Sequence, residues 1–167
     1  MLRFKLGMII VINKMELEQE YILGKIRGFC AYQEHCVSEV AGKLKEWKVG
    51  QKPADKIIEQ LIREDYLNEE RFARSFAGGK FRINHWGKTK IIYELEKRQV
   101  PDLFIQIGLE EIDEEEYVET LREILQRKDR ELREPDALKR KQKLIAFGMQ
   151  KGYHYGLVKE VVGGLKF

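Results

Sequence analysis

The sequence predicts an all-α protein made of three tandem three-helix repeats in an elongated, curved array. Apolar residues recur at spacings of three and four, as in residues 57–62, and no stretch alternates apolar and polar residues as a half-buried strand would. Each proline precedes such a stretch, where a helix start loses nothing by the missing amide hydrogen. These prolines are Pro53, Pro101 and Pro135.

Nine helices are predicted, at residues 16–32, 35–48, 53–65, 68–83, 87–98, 101–110, 113–132, 135–151 and 154–164. Apolar spacing defines the first two, and the three prolines begin the third, sixth and eighth. Asn68 and Asp113 are expected to cap the fourth and seventh helices before acidic first turns. The fifth helix begins at Gly87, while Gly50 and Gly152 are placed where helices end.

The same pattern recurs along the chain. Leu44 and Val49 follow an aromatic residue near the start of the first helix by 23 and 28 positions. Leu95 and Val100 follow the second such aromatic residue by the same numbers. The three aromatic residues, 51 and 45 positions apart, are Tyr21, Phe72 and Tyr117.

This register predicts an N-terminal extension at residues 1–15 and three-helix repeats at residues 16–66, 67–112 and 113–167. A unit of about 50 residues buries too little surface to be stable alone, so neighbouring repeats are expected to share apolar faces. One compact helix bundle is the alternative, because helices with short connections also form bundles.

The composition favours a folded, reduced and cytoplasmic protein. There are 31 basic and 28 acidic residues, giving a net charge of +3, so any attraction to nucleic acid must come from the distribution of charge. Cys30 and Cys36 are too few for a disulfide framework. The apolar run at residues 6–12 is too short to span a bilayer, and Met8 or Met15 are alternative native starts.

No motif indicates catalysis, a cofactor or a metal. The tripeptide Gly87-Lys88-Thr89 has the ending of a phosphate-binding loop, but Arg82 occupies the position where that loop needs a glycine, and a helix precedes it. Lys88 is therefore expected to face solvent.

The histidines His35, His85 and His154 lie in different repeats and are expected to be helix caps or exposed. His35, Cys30 and Cys36 together supply only three metal ligands, and a structural zinc site needs a fourth.

Two basic clusters are the candidate site. Residues 80–98 hold six basic and two acidic side chains, and residues 127–143 hold eight basic and four acidic ones. If the repeats stack with a constant rotation, both clusters fall on one side and can contact a polyanion. A lysine-rich face kept for solubility is the alternative. The candidate charge contacts are Lys80, Arg82, Lys88, Lys90, Lys97, Arg98, Arg127, Lys128, Arg130, Lys139, Arg140 and Lys143.

Aromatic residues lie among these charges. Trp86 is a candidate stacking or anchor residue for unpaired bases. Phe81 and Tyr93 can stack in the same way, but their spacing is more typical of core positions.

Three segments together resemble the RecX family of regulatory proteins. Residues 66–76, with sequence YLNEERFARSF, resemble a family motif, and Gly87, Ile91, Leu95 and Val100 follow at the family's spacing. Residues 151–153, followed by Val158, resemble the closing pattern of the third repeat. The resemblance covers residues 21–165. Gln99 replaces the usual glycine before Val100, and Lys88-Thr89 replaces paired arginines.

The resemblance implies three tandem three-helix repeats, no catalytic activity and no cofactor. It also implies binding in the groove of the RecA recombinase filament on DNA, with modulation, which we expect to be inhibition, of ATPase and strand exchange. Weaker, salt-dependent binding to single- and double-stranded DNA is expected, with no membrane contact and a monomeric protein.

Two other classes of protein fit the helical pattern. The first is a helix-turn-helix-like transcriptional regulator, although the helix at 101–110 begins Pro101-Asp102-Leu103, which is unsuited to reading bases. The second is a protein-binding scaffold without affinity for DNA.

Overall fold

The computed structural model describes the backbone of residues 2–165 and the side chains of residues 17–165. All regular elements in this part of the chain are helices, which confirms the all-α prediction. They are α1 (Leu2–Tyr32), α2 (Val37–Glu46), α3 (Gln51–Arg63), α4 (Glu69–Asn84), α5 (Lys88–Lys97), α6 (Asp102–Leu109), α7 (Glu114–Glu131), α8 (Ala137–Gln150) and α9 (Tyr155–Gly164).

Helix α1 differs most from its prediction, because it begins at Leu2 and not at residue 16. Its first half has no proline, and its run of apolar residues is compatible with helical backbone, so nothing local ends the helix. The predicted extension at 1–15 and the first helix of the first repeat are therefore continuous in the described backbone.

The second helix of each repeat ends in the same way. The amide of the residue after a left-handed position donates to a carbonyl five residues back: Val49 to Leu44 at 3.0 Å, Val100 to Leu95 at 3.2 Å and Tyr153 to Gly148 at 3.2 Å. Immediately before each donor, the backbone is left-handed, with φ of 60° at Lys48, 59° at Gln99 and 95° at Gly152. This repetition agrees with the register read from the sequence.

Only one of the two predicted glycine stops is correct. Gly152 has the expected positive φ, whereas Gly50 is the N-cap of α3 with φ of −66°, and Lys48 takes the left-handed position after α2. The hydrogen bond to Leu44 sets where α2 ends, so the helix stops before the glycine is reached.

Replacing Gln99 by glycine is expected to stabilise the protein by about 0.5–1 kcal/mol. Left-handed backbone costs a residue with a side chain about 1–2 kcal/mol, a cost that glycine avoids. Glycine also raises the entropy of the unfolded chain, which lowers stability by about 0.4–1 kcal/mol. Urea unfolding followed by circular dichroism measures the change. Gln106→Gly is the matched control: it is exposed inside α6, where glycine is expected to destabilise by about 0.5–1 kcal/mol. Equal effects of both changes would contradict the argument.

The chain divides at Glu69–Glu70 into two compact units. In the first unit, α1, α2 and α3 pack around a core that includes Ile26, Val40, Leu44 and Leu61, each fully buried. Glu69, at the end of this unit, accepts a hydrogen bond of 2.8 Å from the Val37 amide at the start of α2. Burial raises the pKa of this carboxyl group.

His35 corrects the prediction for histidines, because it is neither exposed nor a helix cap. It is only 6% exposed, and its Nδ1 lies 2.9 Å from Oε2 of Glu39, one turn into α2. Its ring stacks on Phe29 with centroids 3.8 Å apart. The imidazole therefore fills the corner between α1 and α2. His154 does cap α9, by accepting a hydrogen bond from the Gly156 amide.

In the second unit, the start of α5 meets the end of α8. The Gly87 amide donates to the Lys151 carbonyl at 2.8 Å, and the Thr89 amide donates to the Gly152 carbonyl at 3.1 Å. The Lys88 amide donates to the Tyr117 hydroxyl at 3.0 Å. Two of the first amides of α5 are thus satisfied by carbonyls at the end of α8, and a third is satisfied by the Tyr117 hydroxyl. Predicted repeats two and three share one unit through this junction.

Aromatic residues that open the repeats have different environments. Tyr117 packs between Phe81 and Tyr153, with centroid distances of 5.9 and 4.7 Å, and is 6% exposed. Phe72 is 5% exposed, but Tyr21 is 68% exposed. Asp113 caps α7 as predicted, accepting from the amides of Glu115 and Glu116.

The described residues contain no helix that combines the length and the apolar composition needed to cross a bilayer.

Candidate nucleic-acid interface

Cationic and aromatic side chains alternate on the surface of the second unit. Arg98 lies 4.9 Å from the ring centroid of Phe76, and Lys80 lies 5.3 Å from the same ring. Lys80 is also 5.1 Å from the Trp86 ring, whose other cationic neighbour, Lys90, lies at 4.5 Å. We call these five residues the cation–aromatic ladder. Its order is Arg98, Phe76, Lys80, Trp86 and Lys90.

Local structure explains how the ladder forms. Phe76 and Lys80 are one turn apart on α4, while Lys90 lies on α5 and Arg98 is its C-cap. Between the helices, His85 adopts a left-handed φ of 53°, and the Trp86 amide donates to the Lys80 carbonyl at 3.2 Å. The turn that ends α4 therefore holds the indole beside the two lysines.

The charges of the ladder are unevenly neutralised. Arg98 is paired with Glu94 on the preceding turn at 2.7 Å, and this hydrogen bond holds the pKa of the glutamate below its ordinary value. Among the described side chains, no carboxylate lies within 4.0 Å of the ammonium group of Lys80 or Lys90. Two positive charges thus flank one half-buried indole, and an anion placed between them would relieve their repulsion.

Four further predicted contacts are occupied by acidic partners. Lys128 lies 3.5 Å from Glu131, Arg140 lies 2.5 Å from Asp129, and Lys143 lies 2.6 Å from Glu134. The hydrogen bond from Lys143 lowers the pKa of Glu134, and the hydrogen bond that Arg140 donates to Asp129 raises the pKa of the arginine. Three of the eight basic side chains at residues 127–143 are therefore paired with carboxylates of the same cluster.

Lys88 is the fourth predicted contact that has an acidic partner, and the prediction that it faces solvent is wrong. Its ammonium forms an ion pair with Glu114 and lies 5.0 Å from the Tyr117 ring, so the side chain is only 25% exposed. It closes the junction between α5 and α7 and is not a free surface charge.

The remaining predicted side chains are exposed. Among the described residues, they have no acidic partner within 4.0 Å, and no described contact joins them to one another. They are Arg82, Lys97, Arg127, Arg130 and Lys139. The Arg82 guanidinium lies over Gly78 on its own helix, where a Cβ atom would be 2.3 Å from it.

Two aromatic candidates differ in their exposure. Phe81 is 1% exposed and belongs to the core, whereas Tyr93 is 61% exposed on α5. At the start of α6, Leu103 is 67% exposed beside Asp102, a pair that offers an apolar group and a negative charge. A helix that begins in this way cannot read base edges with the usual donors.

The described residues hold no group of three or more histidine, cysteine, aspartate or glutamate side chains arranged for a metal ion. Cys30 and Cys36 are buried thiols that are not joined in a disulfide, and burial raises their pKa values.

A second set of cation–aromatic contacts lies in the first unit and was missed by sequence reasoning. Lys25 is 4.6 Å from the ring centroid of Trp47 and 5.5 Å from that of Tyr21. Lys43 lies 6.0 Å from Trp47 and 5.9 Å from Phe29. The spacing of four between Tyr21 and Lys25, and between Lys43 and Trp47, is a signal that could have found them.

Family models match two segments of the chain. The model described as "RecX, second three-helix domain" matches residues 68–109, and the one described as "RecX, third three-helix domain" matches residues 114–162.

Similar proteins and structures carry the same family name. A Regulatory protein RecX of Clostridium acetobutylicum is 31% identical over 151 residues, which cover 87% of this chain and 70% of that protein. One from Bacillus cereus is 24% identical, and the matched segment spans 57% of its length. The crystal structure of RecX from Lactobacillus salivarius has the same fold, with a TM-score of 0.78 at 18% identity over 87% of this chain and 94% of that one. On the family models and the Clostridium relative together, the chain belongs to the RecX family of regulatory proteins.

Proposed function

We propose that this protein is a non-catalytic regulator that binds the RecA recombinase filament on DNA, in the groove of the filament, and inhibits its ATPase and strand exchange. Its relatives are named regulatory proteins. The observation that carries the proposal is the ladder, in which Lys80 and Lys90 flank Trp86 and, among the described side chains, no carboxylate lies within 4.0 Å of either ammonium group.

The ladder suits a strand with unpaired bases. A cation–aromatic contact at an exposed site contributes about 0.5–1 kcal/mol, so freeing the indole from both lysines costs about 1–2 kcal/mol. Stacking one base on an aromatic side chain contributes about 1–3 kcal/mol. The displaced ammonium groups then face the phosphates on either side of that base, so the exchange is favourable once phosphate contacts are added.

Inhibition requires different affinities for different filament states. A ligand shifts an equilibrium only by the difference between its affinities for the two states. A chain of repeats that contacts more than one recombinase subunit binds best to one relative rotation of those subunits. Holding that rotation would oppose the changes that ATP turnover and strand exchange require.

Binding to three targets across a salt series tests the proposal. The targets are labelled single-stranded DNA, duplex DNA and recombinase-coated single-stranded DNA. We expect the tightest binding to the coated strand and weaker binding to both bare DNAs. We also expect the recombinase on the coated strand to hydrolyse ATP more slowly when this protein is bound. A preferred duplex sequence would favour the transcriptional regulator instead, and binding to the recombinase without any dependence on DNA would favour the scaffold.

The proposal also takes the protein to be a monomer divided into repeats at residues 16–66, 67–112 and 113–167. Sedimentation of the free protein tests the first point. A dimer would change the number of ladders that each bound molecule presents.

A further inference from the structure

The first unit carries cation–aromatic contacts that the predicted site does not include. Trp47 ends α2, and Lys25 lies on α1, with the ammonium 4.6 Å from the indole centroid. Lys25 is exposed, and no carboxylate lies within 4.0 Å of its ammonium among the described side chains. Lys43, the second cation near this indole, is paired with Glu46 at 2.8 Å.

This pair occupies the same positions as one step of the ladder. Lys25 and Trp47 are separated by 22 positions, as are Phe76 and Arg98, and the two pairs are offset by the 51 residues that separate Tyr21 from Phe72. The centroid distances are also similar, 4.6 and 4.9 Å. The aromatic and cationic partners are exchanged, so the contact persists although both residues differ.

We infer that Lys25 and Trp47 form a second contact for single-stranded nucleic acid, on the first unit. A base stacks on the indole, and the displaced Lys25 ammonium faces a neighbouring phosphate. This inference rests on the proposed function, because it assigns another site for the same class of ligand.

Two features favour a nucleic acid strand over a purely acidic partner. Lys25, whose ammonium has no carboxylate within 4.0 Å among the described side chains, lies over an aromatic ring, so the site offers a stacking surface together with its charge. Tyr21, 5.5 Å from the same ammonium, is 68% exposed and extends this aromatic surface along α1. A partner that carries only negative charge would use Lys25 and leave both rings unoccupied.

The two tryptophans of the chain allow each site to be observed separately. Trp86→Phe leaves Trp47 as the sole tryptophan, and Trp47→Phe leaves Trp86. Titrating each full-length variant with poly(dT) is expected to quench its tryptophan fluorescence to saturation. Polyphosphate, which has the charge and no bases, is expected to quench neither.

The outcomes separate the two proposals. Quenching of Trp86 without quenching of Trp47 would overturn the second contact and leave the ladder intact. Quenching of Trp47 alone would support the second contact and remove the ladder from the DNA interface, and no quenching of either would count against both. Equal quenching of Trp47 by polyphosphate would overturn stacking at this site.

Affinity provides an independent readout. Trp47→Ala is expected to weaken poly(dT) binding about 5- to 100-fold through the loss of one stacked base. Lys25→Gln is expected to reduce the slope of log affinity against log salt by about 0.7, the value for one phosphate contact on a single strand. Lys56→Gln, an exposed lysine on α3, is the charge-matched control for the second variant. Unchanged affinity and slope in the first two variants would overturn the inference.

Discussion

Gly87→Ala is expected to lower the free energy of unfolding of the second unit by about 3–5 kcal/mol. A Cβ atom at residue 87 would lie 2.1 Å from the Gly152 carbonyl oxygen and 2.4 Å from the Tyr153 amide nitrogen, so the backbones of α5 and the α8–α9 turn must separate. Overpacking costs about 1–3 kcal/mol. Separation also breaks or lengthens the hydrogen bonds of Gly87, Lys88 and Thr89, at about 1 kcal/mol each.

Urea unfolding measured by Trp86 fluorescence in a Trp47→Phe background reports this change, because Trp86 then is the sole tryptophan and lies in the second unit. Gly79→Ala is the matched control. Residue 79 lies inside α4, and a Cβ atom there would have no neighbouring atom within 4 Å, so alanine is expected to stabilise by about 0.5–1 kcal/mol. Changes of opposite sign in the free energy of unfolding would support the close contact at Gly87. A Gly87→Ala variant as stable as the control would refute it.

Replacing Lys80 and Lys90 together by glutamine is expected to weaken binding to single-stranded DNA on the order of 10- to 100-fold at about 0.05–0.1 M salt. Two phosphate contacts are lost, which should lower the salt slope by about 1.4. The charge-matched control is Lys52→Gln with Lys56→Gln on α3, two exposed lysines that have no acidic partner within 4.0 Å among the described residues. Fluorescence anisotropy across a salt series measures both quantities.

Trp86→Ala separates stacking from charge at the same site. It is expected to reduce affinity by about 1–3 kcal/mol while the salt slope stays unchanged, because no phosphate contact is removed. If the lysine pair and its control weaken binding equally, net charge alone explains the affinity and the ladder has no special part in it.

Helices are predictable here because their signals are local. Apolar spacing, prolines near helix starts and the Asp113 cap depend on residues within one or two turns, and each of these predictions agrees with the structure. One failure is also local. A helix stop at Gly50 is predicted because glycine favours left-handed backbone, yet α2 ends at Glu46, and Lys48 takes the left-handed position while the Val49 amide donates to the Leu44 carbonyl.

The candidate site is predicted less well, because the state of a charge depends on partners that are distant in sequence. Lys88 is paired with a glutamate 26 positions away, and Arg140 with an aspartate 11 positions away. Counting lysines and arginines cannot reveal either pair. Trp86 and its two lysines are found from the sequence because all three lie within one short segment, whereas Trp47 and Lys25 come from different helices.

The exchange of partners between Lys25–Trp47 and Phe76–Arg98 affects how internal repetition can be detected. Compared one position at a time, lysine against phenylalanine and tryptophan against arginine count as mismatches. Compared as couples, they are the same interaction with its two members interchanged. Transplanting both members of one couple into the other repeat should therefore be tolerated better than transplanting either member alone.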